Sequence, residues 1–221
     1  MTFQRARSEE QREIRRRAIL DTVAAMLEEM PVAEVSLNEI SRRVGLAKSN
    51  VLRYFESREA VLLELLDSFL ESWIAELTDE LAAGVEAGAS PETRARQLAE
   101  ILSRTLANRA VLCDLFGAQG GVLERNVSVE VVKRHKRSSL AKLTAMSDLL
   151  RRHVPELGDQ APTFCLMGLA SAGALSTYVP PPPSLLTAYA DEPALGVLHM
   201  ELREALRISF TSTLLGVLPR A

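Results

Sequence analysis

"GLAKSNVLRYFESREAV" runs from Gly45 to Val61. A glycine suited to ending a helix is followed by Lys48, Ser49 and Asn50, and then by Val51 and Phe55 four positions apart. Residues four apart share a helix face, so Val51 and Phe55 can be buried together. That leaves Lys48, Ser49, Asn50, Leu52, Arg53 and Tyr54 on or near the exposed side. Just upstream, "SLNE" (36–39) has the form of a capping box, with Ser36 at the N-cap and Glu39 three positions on. Leu37, Ile40 and Val44 then face inward, Arg42 and Arg43 outward, and Gly45 takes the position just past the helix end. Ser57 can cap the element that follows. Capped helix, glycine turn and short basic helix form a helix-turn-helix by spacing. A major groove about 12 Å wide admits one such helix, whose polar and cationic side chains reach base edges and phosphates.

Outward from this stretch the periodicity stays helical. Ile19, Val23, Met26, Leu27 and Met30 mark one face of a helix over residues 12–30, stopped by Pro31. Downstream, Val61, Leu62, Leu65, Leu66, Phe69, Trp73, Leu77 and Leu81 hold a spacing of three and four along one long helix. "GVEAGASPE" (84–92) breaks it, with Ser90 and Pro91 suited to open the next. Further helices are expected at about 91–107, 108–117, 126–153, 161–179 and 194–217, with loops at "GAQGG" and "VPPPPS". Aromatic residues are only 5% of the chain, and runs of β-branched residues are missing. The expected fold is therefore all-α: a three-helix DNA-binding domain over residues 1–60 and a larger helical domain over 61–221.

Charge localises the working surface. The chain carries a net −3, yet between Ser36 and Arg58 five basic residues stand against two acidic ones. A basic patch on an acidic body fits docking to a polyanion at one place, not the overall basic character of a nonspecific DNA-packing protein. The charge-free run from Gln160 to Ala190 is diluted by Gly168, Gly173, Ser171, Ser176 and Thr177 and stopped by Pro180 to Pro183, so it is expected to be a buried helix and not a membrane span. The N-terminal "MTFQRARSEEQREIRRR" has no apolar core of a secretory signal, which points to the cytoplasm. Cys113 and Cys165 sit in apolar stretches as small hydrophobes. His135, His153 and His199 do not have metal-ligand spacing, and no phosphate loop, nucleophile elbow or HExxH run occurs. No enzyme activity, cofactor or metal is expected.

The chain resembles the TetR family of bacterial transcription regulators, on "RRRAILDTVAAMLEEM" and "VSLNEISRRVGLAKSNVLRYFESREAVLLELL". Family members commonly read G-V-S-K-G-T-L-Y-H-Y-F-x-S-K-E-A-L across the turn and third helix. Gly45, Lys48, Tyr54, Phe55, Ser57, Glu59 and Ala60 match that frame without a gap, with Arg58 for Lys. The departures are Ala47 for a capping Ser, Asn50 for Thr, Leu52 for Tyr and Arg53 for His, so the reading face is the chain's own. The resemblance implies phosphate contacts by Lys48, Tyr54 and Arg58. Asn50 and Arg53 are candidates for base readout, Arg for guanine and Asn for adenine, with Leu52 on a thymine methyl. Ser36 reads either as a cap alone or as a cap that also touches phosphate. Arg15, Arg16 and Arg17 are placed near DNA, with a plain surface charge as the alternative for at least one.

The resemblance further implies a homodimeric, repressor-like protein that binds a double-stranded DNA operator and is released by a small-molecule effector. The rival readings are a nonspecific DNA-binding protein and a helical small-molecule binder without DNA. Candidate effector-site residues are Trp73, Leu112, Cys113, Phe116, Met146, Phe164 and Met167; their apolar character suits a hydrophobic or amphipathic compound. Taken singly, each reads more readily as ordinary core, since apolar residues at helical spacing usually pack. The small residues of 161–179 and the row Leu198, Leu202, Leu206, Phe210 and Leu214 are candidates for the dimer interface, or for intrachain core. The basic run "VKRHKR" (132–137) reads as a solvated face, a set of salt-bridge partners or an anionic-ligand contact.

Overall fold

The computed structural model describes residues 2–219; the outermost bounds of the two expected domains, residues 1 and 221, lie outside them. The described residues form helices α1 (Thr2–Leu27), α2 (Leu37–Val44), α3 (Lys48–Val51), α4 (Arg58–Gly84) and α5 (Pro91–Ala107). These continue as α6 (Ala110–Ala118), α7 (Val129–His153), α8 (Ala161–Ser176), α9 (Pro183–Asp191) and α10 (Leu202–Val217). No strand occurs among the described residues.

Capping chemistry sets the boundaries near the N-terminus. Ser36 Oγ accepts the Glu39 N–H at 3.2 Å, and Gly45 ends α2 at φ 70°, in the left-handed region where a Cβ is strained. Ser57 Oγ accepts the Ala60 N–H to open α4, and Ser90 with Pro91 at the first position opens α5. Ile19, Val23 and Met26 of α1, Ile40 of α2, Val51 and Phe55 close into one small core with Val61, Leu62 and Leu65 of α4. α4 then carries on for 27 residues, about 40 Å at 1.5 Å per residue. Its far half, with Leu70, Trp73, Leu77 and Leu81 buried, carries the same apolar cluster on among the C-terminal helices.

In that part α10 packs on α5, α8 on α6, and α7 on α4. Trp73 is fully buried and donates its Nε1–H to Thr105 Oγ1 at 3.0 Å; Phe164 and Phe210 meet edge to face with centroids 6.1 Å apart. Gly117 and Gly173 bring α6 and α8 into backbone contact. A Cβ on Gly173 would sit 2.7 Å from Gly117 N, and one on Gly117 would sit 2.9 Å from Gly173 O.

Several sequence expectations are corrected here. α1 begins well before residue 12, because its Arg, Glu, Gln and Ala are good helix formers that need no apolar stripe. It ends at Leu27, and a hydrogen-bonded turn, not helix, leads to Pro31. "GAQGG" is not a loop: Gln119–Leu123 continues α6 as a π-helix. No helix starts at 194. Pro183 takes the first turn of the unexpected α9, Pro193 opens a separate 3-10 segment to Leu198, and α10 begins only at Leu202. Leu198 is thereby excluded from the apolar row and is 68% exposed. Leu202, Leu206, Phe210 and Leu214 are buried inside the chain; of the small residues of α8, Gly173 meets α6 and Gly168 faces Phe210 of α10, while Ala170 and Ala174 stay exposed.

Candidate functional site

The reading turn is held from behind and open in front. Backbone bonds of the helical type continue past α3, from Leu52 to Lys48 O at 3.0 Å and from Phe55 to Val51 O at 3.2 Å. Ala47 makes no side-chain cap, as its methyl dictates. Val51 and Phe55 are buried; Lys48, Ser49, Asn50, Leu52 and Arg53 are exposed together, and Tyr54 is half-buried beside them. Arg16 braces this turn. Its guanidinium lies 4.2 Å from the Phe55 ring centroid, donates to Tyr54 O at 3.0 Å and pairs with Glu64 of α4. Arg16 is therefore not a free surface cation, unlike Arg15 and Arg17, which are exposed. Arg12, Ile14 and Arg15 of α1 face Arg53 and Tyr54 across a groove of about 720 Å³.

Arg58 is also turned inward. It donates to Val35 O at 2.5 Å and pairs with Glu59 at 2.8 Å, with its side chain 24% exposed. The residue expected on a phosphate instead ties α4 to the segment before α2. Ser36 is exposed at the start of α2, where its cap leaves it able to meet a backbone phosphate. Glu39 accepts from Arg42 at 2.5 and 2.9 Å and from Arg43 at 2.9 Å. Those hydrogen bonds hold its carboxyl down at about 2.

A second site opens between α4, α7 and α8. A cavity of about 500 Å³ has Leu70, Ile74, Leu143, Met146 and Leu169 on its apolar walls. Leu140 and Leu166, 64% and 57% exposed, line it as well. Its volume falls within the range of about 300–1,000 Å³ usual for small-molecule sites. The polar groups are few. Glu124 accepts from Lys136 at 2.6 Å and from Gln119 at 2.7 Å. Partial burial opposes its ionisation, but these two hydrogen bonds win and hold its carboxyl below the usual range. Lys142 also lines the cavity, donating to Ser138 Oγ at 2.6 Å.

Of the seven residues expected at an effector site, Phe116 and Met146 line this cavity. Trp73 and Phe164, with Met146, enclose an interstice of only about 10 Å³, too small to be more than core. Leu112 and Cys113 are buried in the packing of α6, and burial pushes the Cys113 thiol up to about 12. Met167 is 56% exposed on the face of α8 turned away from the core. Gln119, Glu124, Lys136 and Lys142 were missed. The basic run at 132–137 signalled Lys136, whereas Lys142 had no signal beyond being a charge on an amphipathic helix.

Hydrogen bonds join the two sites. Glu56, directly after the reading turn, accepts the Ser128 N–H at 2.5 Å and the Ser128 hydroxyl at 2.8 Å. The Ser57 hydroxyl donates to Asn126 O at 3.4 Å. The Val32 N–H donates to Asp114 Oδ2 of α6 at 2.8 Å. Glu124 of the cavity wall thus lies four residues from Ser128, the partner of Glu56.

Comparison with known proteins agrees with this layout. Residues 19–65 match the family described as "Bacterial regulatory proteins, tetR family", and residues 67–221 match "Tetracyclin repressor-like, C-terminal domain". The HTH-type transcriptional regulator EthR of Mycobacterium tuberculosis is 42% identical over 50 residues, 23% of either chain. The regulator BetI of Rhizobium meliloti is 28% identical over 91 residues, 41% of this chain and 43% of that one. These matches therefore span less than half the length of the curated relatives. Among solved structures, Thermus thermophilus FadR in complex with lauroyl-CoA is 18% identical with a TM-score of 0.56, covering 93% of this chain and 96% of that one. Bacillus subtilis FadR in complex with stearoyl-CoA is 14% identical with a TM-score of 0.52, covering 91% and 98%. With both of its domains matched and its reading turn intact, the chain belongs to the TetR family of helix-turn-helix transcriptional regulators.

Proposed function

We propose that the protein is a dimeric repressor that reads a pseudo-palindromic operator and is released when an apolar or amphipathic effector fills the cavity between α4, α7 and α8. Lys48, Ser49, Asn50, Leu52 and Arg53 form the reading face, with Asn50 and Arg53 on base edges and Lys48 and Tyr54 on phosphates. Ser36 adds a backbone contact from the capped start of α2. Arg58 holds the domain together from behind. The observation that carries the reading is the Glu56 contact: the carboxylate that follows the reading turn is bonded to the segment continuing from the cavity wall at Gln119–Glu124. An effector that favours one position of that wall shifts Ser128, and with it the reading turn. Coupling of this kind is typically about 1–3 kcal/mol, or about 5–150-fold in affinity.

The dimer surface is assigned to apolar side chains left outside the intrachain core. They include Met167 of α8, Leu185 and Leu186 of α9, and Ile208 of α10, all at least 36% exposed. The FadR structures with lauroyl-CoA and stearoyl-CoA make long-chain acyl compounds the first effectors to try.

The test is fluorescence anisotropy on the DNA upstream of the protein's own gene and on random DNA, at two salt concentrations, with and without lauroyl-CoA or dodecanoate. Operator-selective binding that weakens when ligand is added, with a dimer by light scattering, is the expected result. Equal affinity for random DNA supports the nonspecific binder instead. Ligand binding with no effect on DNA affinity overturns the release mechanism. Glu56→Gln should keep ligand binding and lose much of the release.

A further inference from the structure

Lys142 stands out in the effector cavity because its charge is poorly matched. Its side chain is 14% exposed, on the α7 face packed against α4. Its nearest carboxylate, Glu71 Oε2, is 3.6 Å away on a side chain that is itself 77% exposed. Of the three ammonium donors, Ser138 Oγ takes one at 2.6 Å. The other lysine of the cavity is satisfied: Lys136 is bonded to Glu124 at 2.6 Å. An ammonium largely drawn out of water and held only by a hydroxyl and a long pair to a mostly exposed carboxylate gains from an anion that meets it directly. Around it the walls are apolar, with Ile74, Leu143, Met146 and Leu169 lining the same space.

We infer that Lys142 anchors the head group of the effector, and that the effector is a free long-chain carboxylic acid whose carboxylate meets Lys142 while its chain lies on the apolar walls. This deepens the effector reading above and rests on it. The class follows from one lysine left without a close carboxylate beside apolar walls, the other, Lys136, being taken up by Glu124. A neutral alcohol or ester leaves Lys142 with only the Ser138 hydroxyl and its long pair to Glu71, and a thioester places no charge where the acid places one. Glu71 is then a competitor that an arriving acid displaces.

Calorimetric titration of the full-length protein with dodecanoate, methyl dodecanoate, dodecanol and lauroyl-CoA tests this. Wild type should favour dodecanoate over the ester and the alcohol by about tenfold or more, the scale of a hydrogen bond to a charged group. Lys142→Gln should abolish that preference while still binding the ester, which also shows that the cavity remains folded. Lys142→Arg should keep most of the preference, and Glu71→Gln should tighten dodecanoate alone. Equal affinity for acid and ester in wild type overturns the Lys142 assignment and leaves the cavity reading standing. So does a lauroyl-CoA preference that Lys142→Gln does not alter. Failure of all four compounds to bind overturns the assignment and the effector-cavity reading together.

Discussion

The reading domain and the effector domain are held together in different ways. From Ser36 to Arg58 the shape is set by bonds of short range in sequence: Ser36 to Glu39, Leu46 N–H to Ser41 O, and Ser57 to Ala60. A few long reaches, above all from Arg16, then clamp the finished unit onto α1 and α4. From Leu70 to Val217 the shape depends on contacts between distant helices: Gly117 on Gly173, Phe164 on Phe210, and Trp73 on Thr105. A locally determined unit keeps its geometry when its surroundings shift, which suits a part that must present the same face to DNA. A domain built on distant contacts can repack around a void, which suits a part that must respond.

The most damaging test of this contrast is Trp73→Ala. It removes a fully buried indole and leaves the Thr105 hydroxyl short of a donor, which should cost about 3–5 kcal/mol. Urea unfolding followed by circular dichroism should show that loss in the C-terminal helices. A variant as stable as the parent would break the picture of a closely packed C-terminal domain.

Next, Gly173→Ala should cost about 1–3 kcal/mol, because its Cβ would meet the Gly117 and Phe116 backbone at 2.7 Å. Thermal melting checks it, and Gly88→Ala, where nothing lies within 4 Å of the added carbon, is the control.

The two arginines of the reading domain sharpen the comparison from the other side. Arg53→Ala should cost about 1–3 kcal/mol on the preferred operator and relax choice at one base pair, with stability nearly unchanged. Arg58→Ala should instead cost about 1–3 kcal/mol of folding stability, since Val35 O loses its donor. Anisotropy on single-base operator variants, paired with urea unfolding of both proteins, separates the two. Interchanged results would reverse the orientation given to this turn.

The smallest expected effect is in pH. The Glu39 carboxyl is held at about 2 in the folded protein, against 4.5 ordinarily. A depressed carboxyl contributes stability that is fully present above 4.5 and is lost as pH falls through about 2. The stability gap between the parent and Glu39→Gln should therefore be constant from neutral pH down to about 4.5 and shrink below it. A gap unchanged down to pH about 2 would show that Arg42 and Arg43 do not act through the charge.

The same contrast explains what could be read from the chain. Ser36, Gly45, Ser57 and Pro91 act on atoms within about one helical turn, so their chemistry is visible in a few letters. Val51 and Phe55 were legible because only one face of so short a helix can be covered. In the second domain several helices bury more than one face, and periodicity alone does not say where packing leaves a gap. Met146 borders that gap, whereas Met167, on the same kind of apolar stretch, faces outward. Pro183 reads equally as a stop and as the first residue of α9. Lys142 was invisible because a lysine on an amphipathic helix is nearly always taken to be solvated. The inward turn of Arg58 was not legible because the motif gives its position but not its direction, which Val35 O decides.

Trp73 has one more consequence. It is the only tryptophan of the chain, fully shielded from water, with its indole N–H held by Thr105. Met146 touches both the interstice beside the indole and the effector cavity. The molecule therefore carries a built-in optical gauge one side chain away from the proposed effector cavity. Its emission comes from a dry, rigid environment, so a chain sliding past Met146 registers as a change of light, without any label and without DNA in the cuvette.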